Sequence, residues 1–228
     1  MTTQKRSTDA RRRAVTASTP DRPVALLVVI FTVEAGRLQA LLIRRSAPPQ
    51  QDDWSLPGGL LAEDQSLVDA ATRRLEIETG VRDVFLEQLY TFSALDELDS
   101  VAVAYWALVD KGSVQLAHRD EWQPAWHHVD ELPELAFKNA TVVEYASTRL
   151  RNKLAYSNVA YSLLPPEFTL SQLQHSYEAI LGRPLDKRNF RKRITSLGIV
   201  EATGRFESEG RHRPAQLYRF LERRPVVV

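Results

Sequence analysis

The sequence predicts an α/β fold in two parts, a larger one built on strands and a smaller, basic one built on two helices. Three observations carry that expectation. Apolar, β-branched-rich runs fill the first half of the chain. Two short capped helices followed by a strand pair close it. Charge divides along the same line: residues 1–22 carry a net +4, residues 23–182 a net −10 and residues 183–228 a net +7, within a total of +1. Opposite charge in successive blocks points to units with different partners, and a basic C-terminal block points to a polyanion.

Taken in order, Val24–Thr32 and Leu38–Ile43 read as strands around the turn Glu34-Ala35-Gly36-Arg37. A long loop with Pro48 and Pro49 leads to Trp54-Ser55-Leu56-Pro57-Gly58-Gly59. Leu67, Ala70, Ala71, Leu75 and Glu78 have helical spacing over Ser66 to Thr79, with Gly80 as the C-terminal cap. Phe85–Phe92 and Val101–Val109 read as further strands. Asn139 is expected to cap a helix running to about Tyr156. Beyond Pro165-Pro166, Thr169 to Leu181 and Asp186 to Ser196 read as helices ended by Gly182 and Gly198. Ile199–Phe206 and Gln216–Leu221 then pair around the polar segment Glu207–Pro214.

Composition narrows the setting. The absence of cysteine excludes disulfides and Cys-ligated zinc. No apolar run approaches the roughly 20 residues of a membrane span. Residues 1–22 are basic and rich in Ser and Thr without an apolar stretch, so they are expected to form a flexible arm rather than a secretory signal. The cytoplasm is the expected location.

Gly59, Arg73, Leu75, Glu78, Gly80 and Val81 fall in register on one 23-residue pattern. That pattern resembles the Nudix box, and Leu56-Pro57-Gly58-Gly59 resembles the usual approach to it. The resemblance implies an α/β/α sandwich with a mixed sheet. Nudix hydrolases cleave linked diphosphates with Mg²⁺ or Mn²⁺ held by box carboxylates, since these ions want hard oxygen ligands. Here Gln65, Arg74 and Ile77 stand where glutamates are expected, and only Glu78 survives. Positions 74, 77 and 78 share a helix face, whereas Glu76 lies about 200° around from 74 at roughly 100° per residue. Glu63 and Asp64 have no motif spacing to recommend them. The expectation is therefore no catalytic residue, no metal and no enzyme.

Such a pocket can still hold an anion. Arg44, Arg45, Arg73 and Arg74 could hold diphosphate oxygens, with backbone N–H groups at Gly58 and Gly59 adding contacts. Glu78 and Phe92 complete the candidate ligand site. Plainer roles stand beside these: an ion pair between Arg73 and Glu78, solvated Arg44 and Arg45, and core positions for Trp54 and Phe92.

The C-terminal block reads as a winged helix-turn-helix. Phe190, Ile194 and Leu197 would pack inward, leaving Lys187, Arg188, Asn189, Arg191 and Lys192 outward. Five of the seven residues from 187 to 193 are Lys or Arg, which favours double-stranded DNA over a protein partner. Arginine suits guanine and asparagine suits adenine in the major groove. Arg211, His212 and Arg213 would form the wing.

Both halves together resemble the NrtR family, Nudix-related transcriptional regulators of NAD metabolism. Arg213-Pro214-Ala215, Leu217-Tyr218-Arg219-Phe220 and Glu87-Gln88-Leu89-Tyr90-Thr91-Phe92 resemble its signatures. Asp96-Glu97-Leu98-Asp99 departs from it, because many members carry an arginine-containing loop there. The resemblance implies a homodimeric repressor of NAD biosynthesis or salvage genes on a palindromic operator. It further implies an NAD-derived effector such as ADP-ribose and no required cofactor. The expected organisation is a basic arm (1–22), a Nudix-like effector domain (23–138), a connecting helix (139–160) and a winged helix-turn-helix (161–228). The alternatives are an active ADP-ribose pyrophosphohydrolase with an appended nucleic-acid module, and a partner-binding scaffold.

Overall fold

A computed structural model describes residues 22–62, 65–93, 95, 100–119, 121–207 and 214–226. Residues 1–21 of the N-terminal arm, Glu63, Asp64, the Asp96–Asp99 segment and the expected wing residues Arg211, His212 and Arg213 lie outside the described residues.

The first half is a mixed sheet of seven strands. Strands β1 (Val24–Glu34) and β2 (Arg37–Arg45) form a hairpin. Ala35 and Gly36 turn it with φ of 48° and 74°, the two-residue geometry that matches strand twist. The short strands β3 (Trp54–Ser55) and β4 (Gly58–Leu60) pair with β2 and β1. Strand β5 (Glu87–Ser93) pairs antiparallel with β6 (Val101–Leu108), which runs parallel to β1. Strand β7 (Trp122–His128) pairs with β2 from Gln39 to Arg45.

Strand β1 is buried from Leu26 to Thr32 because both of its faces are covered. Leu26, Val28 and Ile30 meet Ala70, Ala71 and Leu75 of α1 (Leu67–Thr79). Leu27, Val29 and Phe31 belong instead to the cluster of Val142, Val143, Ala146 and Leu150 on α2 (Asn139–Lys153). Helix α1 starts where Ser66 Oγ accepts from the Asp69 N–H at 3.2 Å. It ends at Gly80, where φ is 81° and an added Cβ would lie 2.8 Å from the Ala117 nitrogen.

The apolar cluster on the α2 face does not stop at the sandwich. It continues through Leu173, Tyr177 and Ile180 of α3 (Leu170–Leu181) to Phe190 and Ile194 of α4 (Lys187–Ser196). A three-stranded sheet of β8 (Phe168–Thr169), β10 (Ala215–Phe220) and β9 (Val200–Glu207) completes the winged helix arrangement. Helix α3 opens with a capping box between Thr169 and Gln172. No helix among the described residues is long and apolar enough to cross a membrane.

Two local expectations are corrected. Asn139 does not cap α2: Lys138 holds the cap position with no side-chain capping bond to the helix, and the Asn139 side-chain Oδ1 accepts from the Leu56 N–H at 2.9 Å. Its amide is committed to a long-range contact, so it cannot serve its own helix end. The helix also stops at Lys153 rather than Tyr156, continuing only as hydrogen-bonded turns through Ala155 and Tyr156.

Candidate functional site

The Pro57-Gly58-Gly59 segment is clamped to β1. The Pro57 carbonyl accepts from the Val28 N–H at 2.9 Å, and Gly58 pairs with Leu27. A Cβ on Gly58 would sit 2.0 Å from the Leu26 carbonyl oxygen, so only glycine fits. From there the Gly58 N–H donates to Glu78 Oε2 at 2.7 Å.

Glu78 is fully buried, and its second oxygen, Oε1, accepts no hydrogen bond. Arg74 Nη1 lies 3.6 Å from that oxygen, one turn back on α1. A Cβ on Gly59 would meet the Arg74 guanidinium carbon at 3.3 Å, so this cation lies against the glycine backbone. Burial pushes the Glu78 carboxyl up to about 7, against the opposing pull of the Gly58 N–H, Arg74 and Arg45.

Arg45 reaches this field from β2. Its Nε donates to the Pro49 carbonyl at 3.1 Å, its Nη2 to the Ala47 carbonyl at 3.3 Å, and its guanidinium carbon stands 4.6 Å above the Phe137 ring. Burial lowers its pKa. The structure therefore brings Arg45, Gly58, Gly59, Arg74 and Glu78 together. Arg44, next along the strand, is exposed and donates to the Asp52 carbonyl at 3.3 Å. Arg73 is exposed, and the partner of Glu78 is Arg74 instead. Phe92 packs on the sheet face opposite α1, in a ring cluster with Tyr90 and Tyr145 at 5.4 and 5.6 Å. Trp54 is half-buried, edge-on to His127 at 4.4 Å. Gln65 is exposed and Ile77 is 37% exposed. Glu76 pairs with Arg82 at 2.8 Å, away from Arg74.

Gln50 and Phe137 escaped the sequence reading, and Asn139 was expected there only as a helix cap. Gln50 Oε1 accepts from the Phe137 N–H at 3.0 Å, while Phe137 and Asn139 fasten the start of α2 to Arg45 and Leu56. No short motif marks them, because each contact spans more than eighty residues of sequence.

A groove of about 1390 Å³ lies elsewhere, lined by residues including Ile77, Phe85, Trp106, Lys153, Tyr161 and Arg223. Two of its cations are engaged: Lys153 pairs with Glu87, and Arg223 donates to the carbonyls of Tyr161, Leu164 and Pro165.

The second candidate surface is α4. Asp186 caps it by accepting from the Asn189 N–H at 2.8 Å. Phe190 and Ile194 are buried, and Leu197 is half-buried. Lys187, Arg188, Asn189, Arg191 and Lys192 are all exposed. Arg193 turns the other way and donates from Nη2 to the Ala155 carbonyl, just beyond α2, at 3.1 Å. The outward face thus presents four cations and one amide.

Comparison with known proteins finds two family matches along the chain. Residues 21–146 match the NUDIX domain, and residues 160–220 match the NrtR DNA-binding winged helix domain. An ADPR responsive transcriptional repressor NtrR of Acinetobacter baylyi is 40% identical over 210 residues, covering 88% of this chain and 84% of that protein. Shewanella oneidensis NrtR, crystallised with a 27mer DNA, is 33% identical with a TM-score of 0.70 over 86% of this chain and 93% of its own. The NUDIX domain of that protein, crystallised with ADP ribose, is 30% identical with a TM-score of 0.52 over 63% of this chain and 99% of its own.

Proposed function

The chain belongs to the NrtR family, in which a NUDIX domain is joined to a DNA-binding winged helix, and from that premise we propose that it is an ADP-ribose-responsive transcriptional repressor of NAD biosynthesis or salvage genes. The winged half binds operator DNA through Lys187, Arg188, Asn189, Arg191 and Lys192. Positively charged side chains there neutralise phosphates, while Arg188 and Asn189 near the helix N-terminus reach base edges. The wing residues Arg211, His212 and Arg213 add contacts to the backbone or minor groove. A homodimer on a palindromic site places two such helices about one helical turn apart.

The Nudix-type half binds its effector without cleaving it. The observation that carries this reading is the Arg74 guanidinium, 3.6 Å from Glu78 Oε1 and against the Gly59 backbone. A divalent ion needs several hard oxygens, and it would meet a fixed cation here. Glu78 already spends one oxygen on the Gly58 N–H, and Ile77 offers no donor. Among the described residues, those at this site do not fit a catalytic metal. They fit a diphosphate, for which Arg74 and Arg45 supply charge-assisted donors. The further candidates Arg44, Arg73 and Phe92 would contact the effector only at the margins of this cluster.

Calorimetric titration of ADP-ribose, followed by titration of the same ligand into a protein–operator complex, tests the reading. The expected result is saturable binding without metal and a 5- to 150-fold loss of operator affinity, the usual span of allosteric coupling. Absence of binding heat up to millimolar ligand, with operator affinity unchanged, refutes it.

A further inference from the structure

Phe137 and Lys138 hold the left-handed conformation one after the other, with φ, ψ of 53°, 32° and 54°, 27°. Neither is glycine, and such residues persist only where their surroundings over-determine them. Here the surroundings come from the effector site. The Arg45 guanidinium covers the Phe137 ring, Gln50 Oε1 takes the Phe137 N–H, and Asn139 takes the Leu56 N–H two residues before Gly58. Trp54 adds a bridge to Leu135.

The other side of this corner is the DNA-binding half. Helix α2 begins at Asn139, and near its far end Arg151 Nε donates to the Ile180 carbonyl of α3 at 3.0 Å. Beyond that end, the Ala155 carbonyl receives Arg193 of α4. Helix α2 and the turn that follows it therefore touch both helices of the helix-turn-helix, α3 through Arg151 and α4 through Ala155.

We propose that the Phe137–Lys138 corner is the latch through which occupancy of the Gly58 site is read by the winged half, with Phe137 as the positioning residue of Arg45. The proposal rests on the effector reading above. Arg45 is held by two carbonyls and a ring rather than by a carboxylate in contact, so a diphosphate competes well for it. Drawing the guanidinium toward the ligand uncovers the Phe137 ring and removes one restraint from the strained pair. The corner then relaxes, α2 shifts at its start, and its far end carries α3 and α4 with it. Packed elements of this kind respond by discrete displacement rather than by continuous deformation.

The test uses the full-length chain and a duplex selected from a random-sequence pool by the ligand-free protein. Operator affinity is measured without ADP-ribose and at saturating ADP-ribose, so that a change in ligand affinity does not enter the ratio. Wild type is expected to change at least fivefold. Phe137→Gly with Lys138→Gly keeps a left-handed corner without strain or ring, and its ratio is expected to fall below twofold while ligand-free operator binding persists. Phe137→Leu, which keeps bulk but loses the aromatic face, is expected to fall between the two and guards against loss of fold in the double variant. Ratios in both variants equal to wild type overturn the latch. Wild type that gives no binding heat with ADP-ribose removes the effector reading, and the latch with it, in a measurement made before any DNA is added.

Discussion

Arg74 Nη1 stands 3.6 Å from Glu78 Oε1, one helical turn away on the same face, close enough for an ion pair and too far for a hydrogen bond. The arrangement leaves a buried carboxylate half satisfied and a partly exposed guanidinium available to an incoming anion. Replacing Arg74 by Ala removes that cation. The expected cost to ADP-ribose binding is about 1.5–3 kcal/mol, roughly 10- to 150-fold in Kd, by calorimetry. Unchanged affinity would place the ligand elsewhere.

Turnover should stay at background. With Mg²⁺ or Mn²⁺ and ADP-ribose, chromatography is expected to detect no release of AMP and ribose phosphate beyond the protein-free control. Metal-dependent hydrolysis that follows the protein through repurification contradicts the non-catalytic reading.

Glu78 gives a signed pH dependence. Its carboxyl is raised in the folded state from 4.5 to about 7. Between those values the folded chain holds a proton that the unfolded chain has released. This contribution to stability is fully present below about pH 4.5 and is lost as pH rises through about 7, amounting to about 3 kcal/mol. Glu78→Gln keeps an acceptor for the Gly58 N–H and abolishes the titration. Denaturant melts from pH 5 to 8 should show the variant gaining on wild type as pH rises. A constant difference across that range refutes the assignment.

On the proposed DNA face the side chains are expected to separate by role. Lys187→Ala or Lys192→Ala should weaken all sequences alike and shallow the salt dependence by about one unit per lost phosphate contact. Arg188→Ala or Asn189→Ala should cost about 1–3 kcal/mol and relax preference at one base position. Binding measured across a salt series on specific and scrambled duplexes distinguishes the two patterns.

Lys153, nearly buried at the end of α2, pairs with Glu87 on β5 and lies over the Trp106 ring at 5.6 Å. Glu87→Ala leaves a buried ammonium without its carboxylate and should destabilise the fold by about 3–5 kcal/mol. Lys153→Met should cost far less, because an apolar chain of similar length fills the same place. Thermal melts that rank the two the other way would show that the pair does not act as a unit.

Long elements with strong periodicity and capping residues were legible in the sequence. Helix α1 runs from the Ser66 cap to Gly80, and α4 from Asp186, with Phe190 and Ile194 inward as spacing requires. The box register was legible because Arg74 and Glu78 share one face of α1, and the motif spacing sets Gly58 and Gly59 of β4 against that face. Strand β7 was illegible: its Trp122–His128 run carries Pro124 and polar residues that break alternation. Strands β3 and β8 are two residues long and exist only through their partners. Asn139 looked like a cap because short-range propensity favours it there, but its amide answers to Leu56 across 83 positions. The fastening of Arg45 to Phe137 is of the same kind, created by the fold and invisible to any local pattern.

The tether from Arg193 to residue 155 ends on a main-chain oxygen. It is therefore indifferent to which side chain stands at that exposed position and responds only to where the backbone lies. Substitutions at 155 should pass unnoticed, whereas adding or deleting one residue between α2 and α3 would swing the carbonyl out of reach. The inherited quantity in this stretch is a length rather than an identity, and relatives that differ freely in its letters would still be held to the same count.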